Sequence, residues 1–273
     1  MNQEIGKTAF LIVQWRADES KVRSPLFEDP YAALFTSDES KLFAEKVDQL
    51  IPSLRLMARL RTRYFDEILH RCQKQGAYQS LILGSGFDMR AQRFSHLGLK
   101  TFEVDQEPIL DFKKNQLRKN GVKVSPIFVA GNYLEPSLLD RLKDSGFDEQ
   151  ARTFILWEGN TFYLPTLSLH DFLARLKSRF SDFFLGFDYV FESVVRKTTG
   201  FEGLTRFAEL LEAQGATLKS GIDDIGAFAE KNGFRLLENL TQYQLHQRYA
   251  PEVPVDEKLF GVYSVCLMRH SSK

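Results

Sequence analysis

The chain has 273 residues, and its 36 Lys and Arg balance 36 Asp and Glu, so the formal charge is zero and no nucleic-acid footprint is expected. No apolar stretch approaches the roughly 18 residues of a membrane span, so no transmembrane helix and no membrane partner are expected. Cys72 and Cys266 lie far apart in sequence, which predicts a reducing, cytoplasmic setting rather than a disulfide framework. Residues 1–5 are polar and acidic, so no secretory signal is expected.

Residues 1–75 read as a helical cover. The stretch 9–17 is apolar apart from Gln14 and Arg16. Residues 24–30 form a turn in which Asp29 caps a helix begun by Pro30. Leu56, Leu60, Tyr64, Ile68 and Cys72 recur at helical spacing through 54–75, and Gly76 ends that helix. The pattern then changes. Short apolar runs at 79–83, 101–104, 124–129, 153–157 and 183–190 alternate with amphipathic stretches, including helices at 108–119 and 166–179. Such alternation marks a parallel sheet with helices on both faces.

Residues 191–222 are a helical insertion, helical at 204–211, in the long connection after the fifth strand. Residues 223–273 supply a helix at 223–232, ended by Gly233, and strands at 234–240 and 259–268. Because 244–258 holds no complete crossover helix, those strands are expected to pair antiparallel at one edge. The chain reads as a single α/β domain: a Rossmann-like, mostly parallel sheet with a cofactor-binding core at 76–190, an antiparallel C-terminal edge and a helical N-terminal lid. The 24 Phe predict a largely aromatic core.

The most informative stretch is Ser80-Leu81-Ile82-Leu83-Gly84-Ser85-Gly86-Phe87-Asp88, followed by Thr101-Phe102-Glu103-Val104-Asp105. An apolar strand enters a tight Gly-x-Gly turn, and a second strand ends in an acid 21 residues after Gly84. In an open α/β sheet the glycines let a ligand lie against the backbone, and the carboxylate accepts hydrogen bonds from ribose hydroxyls. The competing readings are a plain turn for the glycines and a helix N-cap for Asp105. A dinucleotide fingerprint wants a small third residue, and Met89 stands there. That bulk argues against NAD and leaves room for a nucleoside without phosphates, such as S-adenosylmethionine.

Four further positions are candidates. Arg59 precedes the glycine strand with Arg63 one helical turn on, a pair suited to gripping a carboxylate or merely forming a solvated basic face. Asn132 and Tyr133 follow the third strand, where an amide reads an adenine edge and a ring stacks on it; Gly131-Asn132 equally signals a turn. Glu158 ends the fourth strand facing the crevice, or is a solvated loop acid. Tyr163 is a pocket wall or core residue. The five histidines show no metal-ligand spacing, and no serine, cysteine or histidine sits in a nucleophile motif.

Four blocks resemble the leucine carboxyl methyltransferase family of class I S-adenosylmethionine-dependent methyltransferases, including its bacterial O-methyltransferase branch. They are Leu26-Phe27-Glu28-Asp29-Pro30-Tyr31-Ala32, Arg61-Thr62-Arg63-Tyr64-Phe65-Asp66, the glycine stretch from Leu83 to Arg90 with Phe102-Glu103-Val104-Asp105, and Glu158-Gly159-Asn160-Thr161-Phe162-Tyr163-Leu164. The resemblance implies that Arg59 holds the methionyl carboxylate, Gly84 and Gly86 form the cofactor turn, Asp105 holds the ribose, and Glu158 lines the pocket near Tyr163. The family's Asp-Leu pair near the adenine is replaced here by Asn132-Tyr133, a departure. A basic N-terminal contact falls on Arg16 or Lys21, with Arg16 preferred because it lies inside a helix.

The expected reaction is methyl transfer to a carboxylate, on a protein C-terminus or a small molecule. A carboxylate is ionised at neutral pH, with an ordinary pKa of about 4, so the missing general base is no obstacle. The alternatives are a nicotinamide-dependent oxidoreductase and a catalytically silent nucleoside-binding protein.

Overall fold

In the computed structural model, which describes residues 6–272, the chain runs from a helical cover into a seven-stranded sheet. Residues 1–5, on which the expectation about a secretory signal rests, lie outside the described residues. The cover is α1 (Lys7–Glu19), α2 (Asp38–Leu50) and α3 (Ser53–Lys74). The core then alternates β1 (Gln79–Leu83), α4 (Arg90–Arg93), β2 (Lys100–Asp105), α5 (Glu107–Lys119), β3 (Ile127–Ala130), α6 (Leu138–Asp144), β4 (Thr153–Trp157), α7 (Thr166–Arg179) and β5 (Asp182–Val190). It closes with α8 (Glu192–Val195), α9 (Glu202–Glu212), α10 (Ile225–Lys231), β6 (Arg235–Thr241), α11 (Gln242–Tyr249), α12 (Glu257–Gly261) and β7 (Tyr263–Ser271).

The strands lie in the order β3-β2-β1-β4-β5-β7-β6. The first five are parallel, and β7 runs antiparallel to both β5 and β6, in line with the antiparallel edge expected from the lack of a complete crossover helix at 244–258. Strand order reverses between β1 and β4, the switch point where such sheets open a crevice. Register places the crevice residues. Leu83 pairs with Val104, so Gly84 and Asp105 emerge side by side, and Ile82 pairs with Leu156, two residues before Glu158. Period-two alternation fills both faces: Phe183 packs into one core layer with Phe102, Trp157 and Phe172, and its neighbour Phe184 into the other with Tyr64, Phe65 and Phe154. Each fully buried Phe contributes about 1.5–3 kcal/mol.

Several boundaries differ from the sequence expectation. The third strand begins at Ile127 rather than 124, because Pro126 has no N–H for the ladder. The last strand begins at Tyr263, and the preceding residues turn into α12, capped by Asp256 accepting from the Leu259 N–H. The connection read as lacking a crossover helix contains α11, started by a capping box between Thr241 and Gln244. The helix expected from Pro30 is only a 3-10 turn, Ala32–Phe35. Asp29 gives one oxygen to the Tyr31 N–H and the other to Arg16, so its charge is committed elsewhere.

Candidate active site

A cavity of about 470 Å³ opens at the carboxyl ends of β1, β2 and β4, between α1, α3 and α9. Its size suits a small organic ligand. Gly84 and Gly86 form part of its wall, at φ +62 and +48. Gly84 is required twice over: its backbone lies in the left-handed region, and a Cβ there would sit 2.6 Å from Asn160 Nδ2. Asn160 in turn donates to the Glu158 carbonyl at 2.7 Å and the Gly84 carbonyl at 3.3 Å, binding the turn to the end of β4. Beneath the turn, the fully buried Lys113 donates to the Asp88 carbonyl and to Glu103 Oε2, the latter at 2.5 Å. Burial pushes the Glu103 carboxyl up to about 7, even against that ammonium. Met89 is fully buried with Phe10, Phe35 and Phe87, so its bulk is spent on packing α1 against the turn.

Asp105 faces the cavity. Its Oδ2 accepts from the Gly86 N–H at 2.7 Å and its Oδ1 from the Gln106 N–H at 2.8 Å. It does not cap the interior N–H groups of α5, whose N-cap Gln106 has no side-chain capping bond. Burial raises its pKa, opposed by those two amides.

The floor is a chain of buried ions. Arg61 donates to Glu158 Oε1 at 2.8 Å, Asp188 Oδ2 at 2.9 Å and the Tyr263 hydroxyl at 2.6 Å. Arg90 donates to Asp66 at 2.7 Å, to Asp88, and to Glu158 Oε2 at 2.7 Å. Glu158 is thus gripped on both oxygens. Burial works to raise its pKa, but Arg90 and then Arg61 win and hold it below the usual carboxylate range. Asp88 follows the same logic: burial opposes, yet Arg90, Arg16 and Lys113 bring it down to about 2. Asp188 goes the other way, since burial outweighs Arg61 and the Tyr263 and Gly159 hydrogen bonds.

Most of the expected residues meet here. Arg16 is buried in the cavity wall, paired with Asp29 and donating to the Phe87 carbonyl at 3.2 Å. Asn132 lines the cavity while its Oδ1 accepts from the Leu134 N–H at 2.9 Å, which is also the expected turn. Tyr133 lies edge-on to Trp157, ring centres 5.5 Å apart. Tyr163 lines the cavity against Phe162, and its hydroxyl has no hydrogen-bond partner among the described residues. Burial raises its pKa, opposed by Arg61.

Two expected residues are elsewhere. Arg59 does not line the cavity; it pairs with Glu19 on another face of α3. Two positions along a helix is a rotation of about 200°, so Arg59 and Arg61 point almost oppositely. Arg63, argued to share the face of Arg59, is exposed and lies over the Tyr249 ring at 5.7 Å. Lys21 is exposed, 3.8 Å from Asp18. The sequence reading missed Arg61, Asp188 and Tyr263 as site residues. A signal existed for Asp188, a lone acid inside the apolar run Phe183 to Val190. Among the described residues no group of three or more His, Cys, Asp or Glu is placed to hold a metal ion, and no helix is long and apolar enough to cross a membrane.

The family model for leucine carboxyl methyltransferases matches residues 9–177. A relative from Mycobacterium bovis, provisionally named an S-adenosyl-L-methionine-dependent methyltransferase, is 33% identical over 175 residues, or 59% of this chain. The match spans 58% of that relative's length. One from Mycobacteroides abscessus with the same provisional name is 28% identical over 88% of this chain and 79% of its own. Among solved structures, a DUF574 family protein from Streptomyces avermitilis superposes with a TM-score of 0.72 at 14% identity, covering 98% of this chain and 99% of that one. Magnesium protoporphyrin IX methyltransferase from Synechocystis, solved with bound S-adenosylhomocysteine, gives a TM-score of 0.52 at 11% identity over 81% of this chain and 86% of its own. The fold is that of the class I methyltransferases.

Proposed function

The chain belongs to the leucine carboxyl methyltransferase family, and from that premise we propose that it moves the methyl group of S-adenosylmethionine onto a carboxylate oxygen. One observation carries the reading: the Gly84–Gly86 turn, the Asp105 carboxylate and the Arg61 guanidinium converge on one cavity. The donor set fits that cofactor. Asp105 spends one lone pair of each oxygen on the two amides, so further acceptor sites remain for ribose hydroxyls. Arg61 Nη2 has no hydrogen-bond partner among the described residues and suits the methionyl carboxylate, so the role expected of Arg59 passes to Arg61. Asn132 and Tyr133 lie at the adenine end, and Arg16 covers the far side of the glycine turn. Glu158 acts through Arg61, which it holds in place, rather than on the ligand.

When bound, the cofactor supplies a methyl group on a cationic sulfur. The chain contributes alignment and exclusion of water. No side chain needs to remove a proton, because the acceptor carboxylate is already ionised near its ordinary pKa of about 4. The Tyr163 hydroxyl, kept protonated by burial, donates to one acceptor oxygen and leaves the other to attack. The chain acts as one catalytic unit, its cover, core, insertion and C-terminal strands all bordering the cavity. Cys72 and Cys266, both free and buried, are in keeping with a cytoplasmic location.

Calorimetry with S-adenosylmethionine, S-adenosylhomocysteine and NADH tests the donor; binding of the first two and not the third is expected. Tight NADH binding with none of S-adenosylmethionine would return the reading to an oxidoreductase. Binding without release of S-adenosylhomocysteine in the presence of any carboxylate would leave a silent nucleoside-binding protein.

A further inference from the structure

The charged residues that line the cavity, Arg16, Arg61, Asp88, Asp105 and Glu158, come from α1, α3 and the ends of β1, β2 and β4. Another stretch of the lining has none: Leu54 and Met57, on the same face of α3 as Arg61, with Val194 of α8 and Leu204, Phe207 and Leu211 of α9. This wall is also a roof. Leu204, Phe207 and Leu210 pack with Leu11, Trp15, Ala44 and Val47 of α1 and α2. Gly203 lies so close to α2 that a Cβ there would sit 2.7 Å from the Leu50 carbonyl oxygen. Helix-on-helix packing therefore holds α9 over one side of the space as an apolar wall.

We propose that the methyl acceptor is a small amphipathic carboxylic acid, its apolar body enclosed by α9 and α3 and its carboxylate beside Tyr163. The proposal rests on the methyltransferase reading and narrows its acceptor. A protein C-terminus brings a peptide N–H and C=O with every residue, and each needs a partner once buried. The α9 wall offers only apolar side chains. An acyl chain or carbocycle asks for nothing more than removal from water. The polar exception is Tyr163, which lines the cavity with a hydroxyl that has no hydrogen-bond partner among the described residues and feels the Arg61 charge more strongly than that of Asp188.

The test uses the whole chain and three probes: acetate, hexanoate and decanoate, alongside a hexapeptide ending in a leucine carboxylate. With S-adenosylhomocysteine present, calorimetry should show affinity rising about fourfold per added methylene. With S-adenosylmethionine, decanoate should release S-adenosylhomocysteine and the peptide should not. Phe207→Asp should weaken decanoate at least tenfold while S-adenosylmethionine affinity stays within twofold. The wild-type chain-length series decides the matter should that variant fail to fold. Affinity that ignores chain length, or turnover of the peptide without decanoate, overturns the proposal while the donor reading stands. Failure to bind S-adenosylmethionine overturns both.

Discussion

The two sides of the cavity are built differently. On the floor, Arg61 and Arg90 are each locked by three side-chain partners, those of Arg61 from 97 to 202 residues away. On the roof, the cavity-facing side of α9 offers aliphatic and aromatic surface that packs on α1 and α2. The floor elements α3, β1, β2 and β4 fall within the family match at 9–177, whereas the floor residues Asp188 and Tyr263 and the roof helices α8 and α9 fall beyond it. A fixed donor asks for fixed charges. An acceptor wall made of apolar groups can change shape by substitution without stranding a buried ion. The floor is therefore expected to be brittle and the roof tolerant.

The largest expected effect is on the floor. Arg61→Met leaves Glu158 and Asp188 each short of a partner, which should cost about 3–5 kcal/mol in urea denaturation. Phe207→Leu on the roof should cost less than about 1.5 kcal/mol. Equal losses would erase the contrast between the two sides.

Next is the proposed ribose contact. Asp105→Asn keeps the shape but removes the charge, and each charge-assisted hydrogen bond contributes roughly 1.5–3 kcal/mol. Affinity for S-adenosylmethionine should fall at least tenfold by calorimetry. Unchanged affinity would mean that Asp105 serves only to tie down Gly86.

A titration sharpens the comparison further. Glu103, moved from its usual 4.5 up to about 7 by burial, binds its proton more tightly in the folded chain than in the unfolded one. Its contribution is complete below pH 4.5 and is lost as pH rises through about 7. Glu103→Gln should flatten that decline, an effect on the order of 1–3 kcal/mol, read from urea midpoints between pH 4.5 and 8. A decline that persists in the variant would assign it to another group. The roof, having no titratable lining, should contribute nothing to it.

The smallest effect is expected at Arg59. Arg59→Lys should change S-adenosylmethionine affinity less than twofold, because its partner is Glu19 and not the cavity. A large loss there, with Arg61→Lys silent, would reverse the assignment of the clamp.

The sheet was legible because buried parallel strands need apolar runs and crevice acids end them; 79–83 and 153–157 were placed to the residue. The cavity lining was legible where placement follows from position along a strand, as for Gly84, Asp105 and Glu158. It was not legible where function depends on rotation about a helix. Arg55, Arg59, Arg61 and Arg63 are chemically alike, and only Arg61 meets Asp188 and Tyr263, 127 and 202 residues away. The helical spacing of 204–211 announced a helix but not the fact that it roofs the cavity. The polar α11 escaped notice because its turns carry few apolar residues and its cap stood unread.

Counted by sign, the ions under the cavity do not balance. Arg16, Arg61, Arg90 and Arg93 are bound to Asp29, Asp66, Asp88, Glu158 and Asp188, five carboxylates against four guanidiniums. With all of them ionised, the floor holds one surplus negative charge in a medium that screens poorly. The proposed donor enters with a positive sulfur and leaves as a neutral thioether. The same locked ions that give the floor its rigidity should thus favour the charged donor over its neutral product.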